Sequence, residues 1–283
     1  MYFNKVYIEI TNVCNLNCSF CSKTGRTSSF MSLSEFEYIA REVKEFTSLI
    51  ALHVKGEPML HKDLRGILEI CEKNNLKVNI TTNGTLLLKN IETILQSNAV
   101  RQINISLHSA SQSSLDEQEY IKNIFEAVDK IHENTEIIIS YRLWNLKNIQ
   151  ENDVNIGMLQ NLGKKYQRPK IIEEAKINDF LELDKNIFIN QDIEFEWPSL
   201  DREIISQKGK CYGLRNQIAI LANGDIVPCC LDANGNILLG NIFKASLKEV
   251  LESTRAKTIR EGFEKHVLTE DLCKRCDFIK RFM

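Results

Sequence analysis

KVYIEITNVCNLNCSFC, residues 5–21, runs from an alternating apolar pattern into three closely spaced cysteines. The spacings are four and three residues, and no fourth cysteine stands beside them. A closed structural zinc site normally takes four protein ligands, and a dithiol redox site has no use for Cys14. Three thiolates around an ion or cluster leave one position open, where a substrate or cofactor can bind. The stretch therefore predicts a strand followed by an open metal site.

The bulk composition is that of an ordinary globular chain. It has 283 residues, 43% of them hydrophobic and 26% charged, which is enough to bury a full core. The net charge of −2 gives no electrostatic footprint for nucleic acid or an anionic membrane. No apolar run approaches the roughly 20 residues of a membrane span, and the N-terminus lacks the layout of a signal peptide. We therefore expect a cytoplasmic protein with no nucleic-acid or membrane partner.

The nine cysteines fall into two groups and one single residue. Three lie within residues 14–21, five lie between residues 211 and 276, and Cys71 stands alone. Because cytoplasmic thiols stay reduced, the two groups are better explained as metal ligands than as disulfide partners. Cys71 is in phase with the apolar face of a predicted helix and is expected to be a small core residue.

Strand-like and helix-like stretches alternate over the first two-thirds of the chain. Predicted strands begin near residues 5, 49, 76, 100 and 136, and predicted helices cover about 32–46, 62–73, 88–97, 113–133 and 152–166, before a late strand at 187–197. Repeated strand–helix units with short connections predict an α/β fold with a parallel sheet. In such sheets chemistry gathers at the carboxyl ends of the strands.

The pattern changes near residue 201. QIAILANGDIVPCC, residues 217–230, has two apolar runs around Asn223-Gly224 and predicts a hairpin, because both central positions of such a turn favour φ > 0. A helix is expected at about 246–262. Four thiols in this region can close either a zinc or a [4Fe–4S] site, and they are Cys211, Cys229, Cys273 and Cys276.

Cys14, Cys18 and Cys21, in a CxxxCxxC pattern after the first strand, resemble the signature of radical S-adenosylmethionine (radical SAM) enzymes. The resemblance implies a partial (β/α)6 TIM-like barrel over residues 1–200, with a [4Fe–4S] cluster on the three thiolates. In that family the fourth iron is chelated by SAM, so the open position belongs to the cosubstrate. The alternative that the residues leave open is a zinc site completed by a distant His53 or His61.

HVKGEPMLH, residues 53–61, ends the second predicted strand and is similar to the G-G-E-P-like motif that binds the amino group of SAM in that family. Gly56, Glu57 and Pro58 match the motif, and a glycine lets the backbone approach a ligand closely. Lys55 stands where the first glycine is usual, a departure that matters little if Lys55 contributes only its backbone. If the cysteines were absent, the stretch would be interpreted as a Gly-Glu-Pro turn that binds no ligand.

The resemblance carries further SAM contacts to the ends of later strands. The expected contacts are Thr82, Asn83 and Ser106 to the ribose and methionine parts, Phe20 to the adenine, and Arg142 to the carboxylate. Many relatives have Asp at the position of His108. Taken alone, Asn83-Gly84 is a turn and Arg142 is an ordinary surface ion pair.

The four later thiols resemble the twitch extension, the short form of the SPASM domain, which implies a small α+β domain at 201–283 with one auxiliary [4Fe–4S] cluster. Four ligands leave that cluster no open site, so we expect it to pass electrons; structural zinc is the alternative. Cys230 follows Cys229 on a predicted strand and should point the opposite way. It is either a structural thiol or a hydrogen-atom donor to a substrate radical, as in some radical SAM peptide epimerases.

The resemblance implies reductive cleavage of SAM to a 5′-deoxyadenosyl radical, which takes a hydrogen atom from the substrate, with a reductase or a flavodoxin- or ferredoxin-type electron donor. We expect a dehydrogenase-like oxidoreductase acting on a small-molecule or sugar-like substrate, since no peptide-binding module precedes the barrel. One alternative is a peptide-modifying epimerase or maturase. Another is a non-catalytic iron–sulfur electron-transfer protein, against which Glu57 and the strand-end polar groups argue.

Overall fold

The computed structural model describes residues 2–22, 24–113, 115–146, 153–194 and 196–282. The strands are β1 Lys5–Ile8, β2 Leu49–Ala51, β3 Lys77–Thr82, β4 Val100–Ser106, β5 Ile138–Leu146, β6 Phe180–Asp184, β7 Ile187–Ile193, β8 Gln217–Ile220, β9 Asp225–Val227 and β10 Gly240–Asn241. The helices are α1 Leu33–Val43, α2 Leu64–Lys73, α3 Ile91–Leu95, α4 Glu117–Asn134, α5 Asp153–Lys165, α6 Ile171–Ile177, α7 Leu247–Glu252, α8 Thr254–Glu264 and α9 Asp271–Lys274. Among these described helices, none combines the length and the apolar composition needed to cross a membrane.

The chain forms two compact units. The first comprises Met1–Cys14, Cys21–Val78 and Phe195–Met283, and the second comprises Asn15–Phe20 and Asn79–Glu194. The predicted division into a barrel at 1–200 and a smaller domain at 201–283 stays a prediction.

In the first unit, β1 lies between two parallel neighbours. Tyr7 of β1 pairs with Ala51 of β2 on one side and with Ala219 of β8 on the other. The strand order within this unit is β10-β9-β8-β1-β2, and β9 is antiparallel to both β8 and β10. Successive side chains of β1, which point to opposite faces, are buried at Val6, Tyr7 and Ile8, so both faces of the strand are covered. The hairpin strand β8 therefore extends the parallel sheet that begins at β1.

The second unit has the strand order β3-β4-β5-β7-β6. β4, β5 and β7 run parallel, and β6 pairs with β7 in the antiparallel direction. The helix α4 begins after Asp116, whose carboxylate accepts from the backbone N–H groups of Gln118 and Glu119, and it buries an apolar face led by Tyr120 and Ile124. The sequence did not predict β6 and α6, and the predicted late strand at 187–197 is shorter, ending at Ile193.

Helix starts follow the capping residues. A capping box begins α1, since the Ser32 hydroxyl accepts from the Glu35 N–H at 3.3 Å and the Glu35 carboxylate accepts from the Ser32 N–H at 2.8 Å. The single helix predicted at 246–262 is wrong. Ser253 ends α7 and caps α8 by accepting from the Ala256 N–H at 3.3 Å, so two helices replace one.

The predicted hairpin is present, but its turn is longer than predicted. β8 ends at Ile220 and β9 begins at Asp225, which leaves a four-residue turn. The Gly224 N–H donates to the Leu221 carbonyl at 2.8 Å, and the Leu221 N–H donates to the Asp225 carbonyl at 2.8 Å. Gly224 has φ +85°, whereas Asn223 is not in the left-handed region. The prediction of a two-residue turn with two positive φ angles is therefore wrong.

Gly56 lies just beyond β2, where the chain passes close to another segment. Its φ is +78°, and a Cβ there would lie 2.4 Å from the Thr11 carbonyl oxygen and 2.8 Å from the Val13 carbonyl oxygen. The next residue fixes this approach, because the Glu57 N–H donates to the Val13 carbonyl at 2.9 Å. The glycine is required by the backbone that leads into Cys14.

We expect Gly56→Ala to destabilise the protein more than Gly235→Ala, measured as free energies of unfolding by chemical denaturation. Gly235 is a matched control, because its φ is +74° and a Cβ there would meet nothing nearer than Leu221 Cδ1 at 3.4 Å. Both changes cost about 1–2 kcal/mol for a left-handed conformation. Gly56→Ala adds a backbone clash worth about 1–3 kcal/mol. Equal losses in the two variants would contradict this packing.

Candidate functional site

The first three cysteines lie in the loop between β1 and α1. Cys14 and Cys21 are exposed and Cys18 is half-buried. Their thiols are therefore accessible to an incoming cluster. Among the described residues, no three His, Cys, Asp or Glu side chains form a ready-made site for a metal ion.

Glu9 continues from β1 and its side chain is fully buried. Its two carboxylate oxygens accept from Nη1 and Nη2 of Arg26, each at 2.7 Å, which is the strong bidentate arrangement. They also accept from the backbone N–H groups of Lys55 and Ala222, each at 3.0 Å. We call this set of four donors the Glu9 junction. It joins the loop after Cys21, the segment that follows β2 and the turn before β9.

Sequence reasoning missed the Glu9 junction. The available signal was one acidic residue at the end of an otherwise apolar strand, in KVYIEI. A charge at such a position is rarely buried without a partner, but the sequence does not show which of its 36 Lys and Arg residues supplies that partner.

The motif after β2 is held by its own backbone. Glu57 is 1% exposed, and its Oε1 accepts from the Met59 N–H at 3.0 Å at the start of a 3₁₀ turn, Pro58–Leu60. Pro58 suits the first position of that turn, because its missing N–H is not needed there. The Glu57 carboxylate is therefore ordered by the chain itself. Its bond to the ammonium of SAM stays a prediction, as do the roles of Gly56 and Pro58.

Lys55 contributes more than its backbone. The residue is 9% exposed, and its Nζ lies 2.8 Å from Cys21 Sγ and 3.3 Å from Ser22 Oγ. The ammonium also donates to the Ser22 carbonyl and lies 5.6 Å from the centre of the Trp197 ring. The departure from the family motif at this position thus places a cation against a predicted cluster ligand.

In the second unit, the polar residues that end β3 are engaged with neighbouring loops. Thr82 Oγ1 accepts from the Gly84 N–H at 3.0 Å. Asn83 Nδ2 donates to Asn15 Oδ1 at 2.9 Å, and Asn83 Oδ1 accepts from the Thr85 N–H at 3.0 Å. Asn15 is the residue after Cys14, so Asn83 helps to order the cysteine loop. Direct contacts of Thr82 and Asn83 with SAM remain predictions.

The other expected SAM contacts lie near the ends of β4 and β5. The rings of Phe20 and His108 are 4.8 Å apart, and His108 Nδ1 lies 3.1 Å from the Arg142 carbonyl oxygen. Burial lowers the pKa of His108 to about 4, so it is neutral near pH 7 and does not supply the charge of an Asp. The Arg142 guanidinium lies 4.3 Å over the Trp144 ring. Ser106, the last residue of β4, is half-buried.

The auxiliary thiols, Cys211, Cys229, Cys273 and Cys276, all belong to the first unit. Burial raises the pKa of Cys229 well above its ordinary value, and the charges of the neighbouring thiols act in the same direction. Burial likewise raises the pKa of Cys276 to about 11, and a hydrogen bond from the Phe278 backbone partly offsets this increase. Burial also raises the pKa of Cys211, and a hydrogen bond from the Gly213 backbone partly offsets that increase. Ionised thiols this close together repel one another, and a cationic iron centre would neutralise that repulsion. The N–H groups already bonded to the sulfurs would support them as ligands. The four thiols therefore fit an iron–sulfur cluster.

Cys230 is not on a strand, because β9 ends at Val227. The alternation argument for its direction is therefore wrong. Its side chain, like that of Trp197, packs against an apolar cluster that includes Tyr7 and Leu221. Burial raises the pKa of this thiol, and a hydrogen bond with Tyr7 opposes the shift. Hydrogen-atom donation by Cys230 stays a prediction.

Comparison with known families matches two parts of the chain. Residues 8–157 match the radical SAM superfamily, and residues 211–277 match SPASM, an iron–sulfur cluster-binding domain. The second match contains all four auxiliary thiols. The two families imply [4Fe–4S] clusters and SAM as cofactors, as predicted.

Curated relatives are similar to this chain at moderate identity. A probable GTP 3′,8-cyclase of Methanocaldococcus jannaschii is 35% identical over 104 residues, which is 35% of each chain. A GTP 3′,8-cyclase of Aquifex aeolicus is 23% identical over 285 residues, covering 86% of this chain and 87% of that one. In the first relatives matched, the aligned segment spans between 35% and 49% of the relative's length.

Solved structures share the fold over nearly the whole chain. BtrN in complex with AdoMet and 2-DOIA superposes with a TM-score of 0.62 at 17% identity, covering 98% of this chain and 94% of BtrN. Streptococcus suis SuiB bound to S-adenosylmethionine gives a TM-score of 0.65 at 18% identity, covering 98% and 72%. The predicted α/β fold class, a partial barrel with a parallel sheet, is confirmed.

The superfamily match spans more than half of the 283 residues and begins in β1, ahead of the CxxxCxxC loop. The match agrees with the signature read from the sequence and with the shared fold. The chain belongs to the radical SAM superfamily and is a radical SAM enzyme with a SPASM-type iron–sulfur domain.

Proposed function

We propose that this enzyme is a dehydrogenase-like oxidoreductase acting on a small-molecule, sugar-like substrate. The observation that carries the proposal is the set of four half-buried auxiliary thiols in addition to the three cysteines of the loop. In a cubane each iron takes one protein ligand, so four thiolates leave no iron for a substrate. A closed cluster suits the acceptance of an electron, which an oxidation requires after a hydrogen atom has been removed.

When bound, the first cluster and SAM supply the radical chemistry, and the protein supplies binding, orientation and exclusion of water. We assign cluster binding to Cys14, Cys18 and Cys21. Glu57 accepts a hydrogen bond from the ammonium of SAM, for which its buried and already ordered carboxylate is suited. Arg142 lies at the end of β5 with its guanidinium over Trp144, and we assign it to the carboxylate of SAM.

The substrate class is supported by the fold comparison. The match to BtrN in complex with AdoMet and 2-DOIA covers nearly all of both chains. The match to SuiB bound to the precursor peptide SuiA covers 71% of that chain. On the BtrN match we propose a ligand of the kind that BtrN binds, and the SuiB match keeps a peptide as the alternative.

A second candidate is the conversion of GTP. It is favoured by the curated relatives, which include the Aquifex aeolicus GTP 3′,8-cyclase that aligns over 86% of this chain. A rearrangement of this kind leaves the substrate without net oxidation. The mass of the product therefore separates the two candidates.

Reduction of the first cluster requires a one-electron donor, and we propose a partner of the flavodoxin or ferredoxin type or a dedicated reductase. The free thiols at all nine cysteine positions suit a reducing, cytoplasmic location.

The proposed function predicts a product two mass units lighter than its substrate. Anaerobically reconstituted protein, dithionite and SAM are incubated separately with a panel of aminocyclitols and sugar alcohols, with GTP, and with a short peptide. Formation of 5′-deoxyadenosine is measured against the rate without substrate, and products are analysed by mass spectrometry. We expect stimulation by a member of the sugar-like panel. Stimulation by GTP alone, without loss of two mass units, would establish the second candidate instead.

The auxiliary thiols provide the next prediction. Replacing Cys273 and Cys276 with Ala should preserve cleavage of SAM in the absence of substrate, because that step needs only the first cluster. The same variant should lose product formation, because the second electron has no acceptor. Metal binding contributes to the folding of small domains, so circular dichroism must show a folded variant. Normal turnover by a folded variant that lacks the auxiliary cluster would remove the main support for an oxidation.

A further inference from the structure

The side chain of Lys55 contacts Cys21, one of the three cysteines of the first cluster loop. It stands before Gly56, at the position where the family motif usually has glycine, and its aliphatic stem is buried. Nζ ends 2.8 Å from Cys21 Sγ, with Ser22 as its other polar neighbour. The Lys55 backbone N–H is itself fixed, since it donates to Glu9 at 3.0 Å. The lysine is therefore anchored at its backbone and directed at a thiol.

In the described part of the chain, no carboxylate forms an ion pair with this ammonium. Its neighbours are a thiol, a carbonyl, a hydroxyl and the face of Trp197. A buried charge is costly unless it is paired. The thiolate of Cys21 supplies the missing negative charge once a cluster is bound.

We propose that Lys55 donates a hydrogen bond to the Cys21 thiolate and raises the reduction potential of the SAM-binding cluster. Reduction adds one negative charge to the cluster, so a fixed cation beside it stabilises the reduced state more than the oxidised state. The effect is strong because Lys55 as a residue is only 9% exposed, so its charge is poorly screened by water. Hydrogen bonds to the sulfurs and net charge are established determinants of cluster potential. The proposal rests on the cluster assignment and not on the choice of substrate.

The test is a redox titration of the first cluster, followed by electron paramagnetic resonance on anaerobically reconstituted protein. Lys55→Met removes the charge and keeps an apolar stem, whereas Lys55→Arg keeps the charge. Lys62→Met is the matched control, because it removes an exposed lysine only seven residues away. At the wild-type midpoint, we expect the ratio of reduced to oxidised cluster in Lys55→Met to fall about tenfold, which is about 59 mV for one electron. Lys55→Arg and Lys62→Met should stay close to the wild-type value.

A full cluster with an unchanged potential in Lys55→Met would overturn the proposal while leaving the cluster assignment intact. Absence of a cluster in the wild-type protein would instead remove the assignment itself. If Lys55→Met assembles no cluster, wild-type protein labelled with ¹⁵N-lysine decides the question. A ¹⁵N hyperfine coupling in the pulsed spectrum of the reduced cluster is expected for a lysine hydrogen-bonded to sulfur, and its absence would contradict the contact.

Discussion

The bidentate pair between Glu9 and Arg26 is the interaction on which the arrangement of the first unit depends. A fully buried carboxylate is tolerable only when its charge and lone pairs are satisfied, and Glu9 meets this condition with four N–H donors. Removing one partner of a buried pair typically costs about 3–5 kcal/mol. The donors come from three separate parts of the chain, so those parts are ordered together.

Each of these parts carries chemistry. Arg26 is five residues beyond Cys21, and its Nε also donates to the Ala233 carbonyl at 2.8 Å, shortly after Cys229 in the chain. Lys55 precedes Gly56 and Glu57, and its side chain returns to Cys21. Ala222 lies in the turn between β8 and β9, the strand that leads to Cys229. The loop proposed to hold the first cluster, the motif proposed to bind SAM and the segment of the auxiliary thiols therefore share one anchor.

The sequence was most informative where function constrains spacing. CxxxCxxC, the Gly-Glu-Pro motif and the four auxiliary thiols are readable because each needs fixed residue types in a fixed order. Strand periodicity identified the parallel strands, but β6 alternates exposed and buried residues in only five positions and was missed. The Glu9 junction and the direction of the Lys55 side chain depend on contacts between residues that are 17 to 213 positions apart in the sequence. Local pattern carries no information at such separations, and so the most specific features of the site required the structure.

Amide hydrogen exchange on Glu9→Gln, with Glu37→Gln as the control, tests most directly whether the Glu9 junction orders the three segments. Glu37 forms an exposed ion pair with Arg41 on α1, so the control changes the same charge without disturbing a buried network. The Glu9 junction predicts that exchange accelerates together in the loop after Cys21, at Lys55 and at Ala222 in Glu9→Gln, while Glu37→Gln behaves like the wild type. Unchanged exchange at Lys55 and Ala222 in a Glu9→Gln variant would contradict the claim that one carboxylate fixes all three segments.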